Sequence, residues 1–174
     1  MKRRTVLVGA TLAVTTPNAF AAVYMTTEQA QASMFPGEAL RPAFRTITPD
    51  QRAAIRRTCG DSPLSDDLKV WRAASGGWFI VDEVVGKHEF ITYATSLDAT
   101  GAVKDIEILE YRETYGYEVR ERAWRAQFVG KRQGAALKLG SDIRNISGAT
   151  LSCKHITDGV RRLLATYTVI LAAG

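Results

Sequence analysis

The chain has 174 residues, of which 46% are hydrophobic and 24% charged, proportions that suit a single domain able to bury its own core. Its formal charge is +5, but Lys2, Arg3 and Arg4 at the extreme N-terminus supply three of those charges and leave +2 on the remainder. With no Lys/Arg tract interleaved with aromatics, the basic balance gives no argument for a nucleic-acid partner. No internal repeat or low-complexity tract interrupts the chain.

Lys2, Arg3 and Arg4 precede an apolar run over residues 6–14 and then Ala19-Phe20-Ala21, an A-x-A cleavage pattern. This predicts a secretory signal peptide over residues 1–21, cleaved before Ala22. The run is roughly half the ~20 residues that span a bilayer, which favours a leader over an uncleaved anchor. The pair Arg3-Arg4 also admits a twin-arginine route alongside the general one.

Residues 26–35 carry Ala30, Met34 and Phe35 at loosely helical spacing and stop at Pro36-Gly37, predicting a short helix. Thr48-Pro49-Asp50-Gln51 is a stronger start signal. Thr48 stands as N-cap, Pro49 at the first helical position and Gln51 where it completes a capping box, for a helix over 49–58 that ends at Gly60. From Leu68 the period changes to two, with strands predicted at 68–73, 78–81, 90–97 and 103–111. Asp98-Ala99-Thr100-Gly101 joins the last two as a hairpin. Residues 117–128 return to helical spacing through Val119, Ala123, Trp124 and Phe128. The order of elements predicts an α+β fold in which helices pack against one antiparallel sheet.

The stretch from Asp142 to Ser152 then leads into a helical pattern over 153–167, with Cys153, Ile156, Val160, Leu163, Leu164 and Tyr167 on one face. Thr150 or Ser152 is placed to cap it, and Gly148 and Ala149 would let a ligand approach the backbone closely. A helix start of this kind attracts phosphate, although the same pattern also describes an ordinary capped helix after a turn.

Ser147-Gly148-Ala149-Thr150, followed by Leu151-Ser152, resembles the flavinylation motif of the FMN-binding domain family, which includes the flavin subunits of Rnf complexes and of sodium-pumping NADH:quinone reductase. Glu113-Thr114-Tyr115-Gly116 is similar to that family's Glu-Thr-x-Gly segment. Residues 124–131, Trp-Arg-Ala-Gln-Phe-Val-Gly-Lys, resemble the Gln-Phe-x-Gly-Lys stretch between the two. The likeness runs from about residue 69 to 164. It implies FMN held covalently through a phosphoester on Thr150, with Ser147, Gly148, Ala149, Leu151, Ser152, Glu113, Thr114 and Gly116 forming the binding site.

The resemblance further implies an electron carrier rather than a turnover enzyme, exported to the periplasm and passing electrons between membrane-associated redox partners. Threonine is a poor nucleophile, and no His, Lys or carboxylate adjoins it here, so the resemblance implies a separate flavin transferase that uses FAD as donor. One departure stands out. The family often places an acidic residue six positions before the modified threonine, where this chain has Arg144, with Asp142 the nearest carboxylate; a binding module of the same fold that escapes flavinylation is the alternative.

Other chemistry is sparse. His88 and His155 are far apart and lack partners at metal spacing. Cys59 and Cys153 form no C-x-x-C motif; an exported chain permits a disulfide between them, while the place of Cys153 on an apolar face suits a buried thiol. Trp71, Trp78 and Trp124 read as core. Glu113 could act as a base but has no second catalytic partner nearby, so no catalytic residue is assigned.

Overall fold

Four consecutive strands form the centre of the fold: β4 (Asp67–Ala73), β5 (Trp78–Val85), β6 (Phe90–Leu97) and β7 (Val103–Tyr111). Seen in a computed structural model that describes residues 22–172, they pair antiparallel as an unbroken meander. The expected leader over 1–21 lies outside the described residues. Three shorter strands extend the sheet: β1 (Ala22–Val23) on β7, and β2 (Leu40–Pro42) and β3 (Arg45–Thr46) on β4, giving the order β1-β7-β6-β5-β4-β2 with β3 beside β4. The register slips between Thr92 and Tyr93 and again between Ser96 and Leu97. Such bulges sharpen strand twist, and the sheet accordingly curls into a half-barrel.

The period-two pattern sorts side chains onto two faces. Val70, Ile80, Tyr93, Ile106 and Ile108 point into the concave face and form the larger core with the long helix α4 (Thr150–Thr166). Phe79, Ala94 and Leu109 point the other way and meet Ala30, Met34 and Phe35 from α1 (Thr27–Met34) in a smaller cluster. Helix α1 is capped reciprocally by Thr26 and Gln29, and α2 (Pro49–Cys59) by Thr48 and Gln51, with Gly60 ending α2 at φ 79°. The Asp98 turn closes as expected: its Oδ1 accepts from Thr100 N at 2.8 Å and Ala102 N at 3.0 Å.

Besides β5, which runs on to Val85 where the sequence reading stopped it at residue 81, three features depart from that reading. β1, β2 and β3 are two or three residues long, too short to show a period, and Pro42 suits an edge position. The helix expected over 117–128 is instead a 3-10 turn (Tyr117–Arg120), a single α turn α3 (Arg122–Arg125) and a second 3-10 turn (Ala126–Phe128). Glu121, at φ −57° and ψ 127°, breaks the run, yet Val119, Trp124 and Phe128 remain buried as their spacing requires. Helix α4 begins at Thr150, one turn before the apolar pattern that marks it, and continues through a π segment (Tyr167–Leu171).

Helix α4 is anchored by more than apolar contact. Arg162, 4% exposed, places its guanidinium 2.8 Å from both Asp61 Oδ2 and Asp82 Oδ2, and it also donates to the carbonyl of Glu83. The Tyr93 hydroxyl donates to the same Asp82 oxygen. Gly159 lets the helix approach this cluster, since a Cβ there would sit 2.5 Å from the Tyr93 oxygen. Among the described residues, no helix is long and apolar enough to cross a membrane.

Candidate functional site

The N-terminus of α4 opens onto a cleft of about 900 Å³. Gly148, Ala149, Thr150, Leu151 and Ser152 form one wall; Glu113, Thr114, Tyr115, Gly116, Tyr117 and Glu118 form the facing wall, and Lys87 and His88 close one end. Residues 113–116 and 148–152, apart in sequence, therefore meet across one space. Ser147 is exposed but does not line it.

Neither Thr150 nor Ser152 caps the helix, contrary to the sequence expectation. Ala149 occupies the N-cap with φ −115° and ψ 19° and no side-chain cap, and the first helical bond runs from Cys153 N to Ala149 O at 2.9 Å. Gly148, at φ 86°, turns the chain into the helix early enough that Thr150 is already its first residue. The N–H groups of Thr150, Leu151 and Ser152 therefore precede the first helical bond, and they gather at the positive end of the helix dipole.

The three hydroxyls of this stretch differ in availability. Thr150 is exposed, and its Oγ1 accepts a hydrogen bond from Asn145 Nδ2 at 3.0 Å, leaving its own proton free to be donated. Ser152 is 5% exposed, and its Oγ lies 2.8 Å from the Tyr111 hydroxyl, which also donates to the carbonyl of Tyr115 at 2.5 Å. Burial pushes the Tyr111 hydroxyl up to about 12, so this buried pair stays uncharged at neutral pH. Gly116, at φ 96°, makes the packing possible: a Cβ there would stand 2.5 Å from the Tyr111 oxygen and 3.0 Å from Ser152 Oγ.

Glu113 has a structural task. Its Oε1 accepts from the backbone N–H groups of His88 at 2.5 Å and Glu89 at 3.0 Å, latching the β5–β6 turn against the cleft. Burial raises this carboxyl, but the N–H groups of Glu89, His88 and Lys87 outweigh it and hold the group below its ordinary range. Gly86 is required for the latch, because a Cβ would lie 2.6 Å from Glu113 Oε1. Lys87 and His88 reach the cleft by this route, and His155 Nδ1 lies 3.1 Å from the Gly86 carbonyl oxygen.

The Gln-Phe-x-Gly-Lys stretch holds the loop that precedes Thr150. Gln127 Oε1 accepts from Arg144 N, and Trp124 Nε1 donates to Arg144 O, each at 2.8 Å, so the backbone of Arg144 is gripped on both sides. Phe128 is fully buried and edge-on to Trp124, with centroids 5.1 Å apart. Gly130 N bonds Val103 O at φ 79°, and Lys131 Nζ stands 3.4 Å from Asp142 Oδ2. The Lys138 N–H, with Lys131 behind it, holds the Asp142 carboxyl below its usual range.

Cys59 and Cys153 are separate free thiols. Cys153 is buried on α4, where burial pushes its thiol up. Trp78 and Trp124 are buried and Trp71 partly so. Among the described residues no three His, Cys, Asp or Glu side chains gather as metal ligands.

A cleft of this size lies within the range of small-molecule sites. It has unpaired N–H groups at a helix start, glycine where a ligand would approach the backbone and exposed aromatic side chains, Tyr115 and Tyr117, on the facing wall. These features suit a flat, phosphorylated ligand. The comparison with known families agrees: residues 86–165 match the model of the FMN-binding domain, and that segment includes every residue of the cleft. No curated protein matches the chain.

FMN suits what is present. The N–H groups of Thr150, Leu151 and Ser152 would meet its phosphate, Gly148 has no atom within 4 Å of where a Cβ would stand, and one carboxylate oxygen of Glu118 is buried without a partner among the described residues. Lys87, His88, Tyr115, Tyr117 and Glu118 were missed from the sequence. The last two lie just beyond the Glu-Thr-x-Gly segment, and that adjacency was the available signal.

Proposed function

We propose that this protein is an exported electron carrier with FMN attached through a phosphoester to Thr150. The observation that carries this reading is the selective exposure of the Thr150 hydroxyl. Among the three hydroxyls of the motif, Ser152 is buried and engaged by Tyr111 and Ser147 stands outside the cleft, whereas Thr150 lies on its wall at the first turn of α4.

Attachment forms a bond between Thr150 Oγ1 and the FMN phosphorus of FAD and breaks the pyrophosphate link. AMP leaves, and the hydroxyl proton passes to a base of the flavin transferase, since no side chain of this motif is placed to take it. The phosphodiester then sits at the N-terminus of α4, where the dipole and the free N–H groups offset its charge. The flavin supplies the redox chemistry, and the protein sets its exposure and surroundings. Covalency suits an exported carrier, because a tethered cofactor is not lost by dissociation. Electrons then pass between membrane-associated partners that reach the cleft mouth.

Arg144 favours a second reading, a domain of the same fold that stays unmodified, because it stands where the family often has a carboxylate. Its backbone is nonetheless held by Gln127 and Trp124, so the loop shape does not depend on the side chain at that position.

Intact-mass measurement on denatured protein co-expressed with a flavin transferase tests the assignment. The wild type should be heavier by one FMN less one water, and Thr150→Val should lack the increment. Loss of the Asn145 bond costs about 0.5–1.5 kcal/mol, too little to unfold a domain of ordinary stability. An increment that survives in Thr150→Val would move the attachment elsewhere; a wild type without one would favour the unmodified module.

A further inference from the structure

Glu118 lies on the wall of the cleft opposite Thr150, at the 3-10 turn that follows Gly116. Its Oε2 is shut off from solvent and has no hydrogen-bond partner among the described residues. Leaving a buried acceptor unmet costs about 1–3 kcal/mol, and more when the acceptor is charged. The other carboxylates of the neighbourhood are satisfied: Glu113 by two backbone N–H groups and Asp142 by Lys138 N and Lys131. Glu118 is the exception among them.

Its position is bounded by its effects on neighbours. Burial first pushes up both the Tyr111 hydroxyl and the Cys153 thiol; the charge of Glu118 adds to this at Cys153, and follows that of Glu113 at Tyr111. The residue lines the same cleft as Gly116 and the first turn of α4. Tyr111 offers it no donor, since that hydroxyl already donates to Tyr115 O.

We infer that Glu118 is a flavin contact: its carboxylate accepts a hydrogen bond from an N–H or O–H of the cofactor bound in this cleft. The inference rests on the flavin reading of the site. A flavin offers two kinds of donor, the imide N–H of the ring system and the hydroxyls of the ribityl chain, and either would satisfy an oxygen that the protein leaves unmet. A fixed negative charge beside the ring also opposes the negative charge that reduction adds to it, so Glu118 lowers the reduction potential.

The test uses flavin-loaded wild type, Glu118→Gln and Glu118→Ala, together with the same three proteins made in a host without a flavin transferase. All three loaded proteins should show the same covalent mass increment. Titrated with dithionite against a redox dye, both variants should have a more positive midpoint potential than the wild type. A change of about tenfold in the ratio of reduced to oxidised flavin at fixed poise, or about 30 mV for a two-electron couple, is the expected scale. In thermal melts, Glu118→Ala should lower the melting temperature of the loaded protein but not of the flavin-free one, because the carboxylate gains its partner only with the cofactor.

An equal loss of melting temperature in both forms would make Glu118 a structural residue and overturn the inference. Unchanged potentials together with no melting loss in loaded Glu118→Ala, at normal mass increments, would also overturn it while leaving the Thr150 assignment intact. A wild type that takes up no flavin at all would overturn both.

Discussion

Asn145 Nδ2 stands 3.0 Å from Thr150 Oγ1 and donates to it, five residues before the threonine and across the turn made by Gly148. The contact engages one lone pair of the hydroxyl and so restricts its rotation, leaving the proton and the second lone pair unengaged. Asn145→Ala should therefore slow flavin transfer rather than prevent it. A neutral hydrogen bond of about 1 kcal/mol corresponds to roughly a fivefold change in rate. Time courses of mass increment with purified transferase and FAD would show it; identical rates would mean that the transferase orients the hydroxyl itself.

The grip on Arg144 makes a second prediction. Removing the Gln127 acceptor frees the Arg144 N–H while Trp124 still holds the carbonyl. Gln127→Ala should raise the hydrogen-exchange rate of the Arg144 amide by about fivefold, again on the scale of one hydrogen bond, with little change in the strands of the sheet. Uniform acceleration across the domain would instead mean that Gln127 supports global stability.

Gly116 should not tolerate a side chain. At φ 96° an alanine is strained by its backbone alone, and its Cβ would stand 2.5 Å from the Tyr111 oxygen. Gly116→Ala is expected to destabilise the domain by about 1–3 kcal/mol, read from urea unfolding, and to displace the Tyr111–Ser152 pair. Unchanged stability would show that the wall shifts at no cost.

Arg162 lies between Asp61 and Asp82 with almost no exposure, so its removal strands Asp82 beside the Tyr93 hydroxyl. Arg162→Ala should cost about 3–5 kcal/mol, the scale for breaking one side of a buried ion cluster. Arg162→Met combined with Asp82→Leu should recover part of the loss, because it removes the more buried carboxylate and leaves only Asp61, whose side chain is 42% exposed and can be hydrated. Denaturant midpoints of the single and double variants would decide it.

Alkaline titration offers a fifth. Tyr111 has its hydroxyl pushed up to about 12 by burial, against about 10 in an unfolded chain. Between those values the unfolded state has lost the proton and the folded state keeps it, so the Tyr111 contribution is fully present below pH ~10 and is lost as pH rises toward ~12. Tyr93 is also raised, by burial first, so the comparison must be a difference. The stability gap between wild type and Tyr111→Phe should narrow across that window, and a constant gap would contradict the assignment.

Local chemistry was legible in the sequence where it acts through near neighbours. The Thr48–Gln51 box, the Gly60 stop and the Asp98 turn each involve residues a few positions apart, and each stands where its pattern placed it. The α+β sheet with packed helices was legible because period two persists through β4 to β7. The cap of α4 was misread because the deciding partner of Ser152 is Tyr111, 41 residues away, and because Gly148 and Ala149 set the helix start through backbone angles. Lys87 and His88 were invisible for a similar reason. They belong to the cleft only because Glu113, 25 residues beyond His88, binds their turn.

The Arg162 cluster bears on the order in which the protein assembles. Every pairing among β4 to β7 joins sequence neighbours, so the meander closes short loops and carries a small entropic penalty. Helix α4 must reach back 80 residues to Asp82 and 101 to Asp61 before its charge is met. Thr150 sits at the head of that helix, so the cleft is complete only once this long closure is made. A nascent or partly unfolded chain then presents residues 144–150 as a free segment before it presents a site, which gives any enzyme that reads those residues a substrate with two distinct lives.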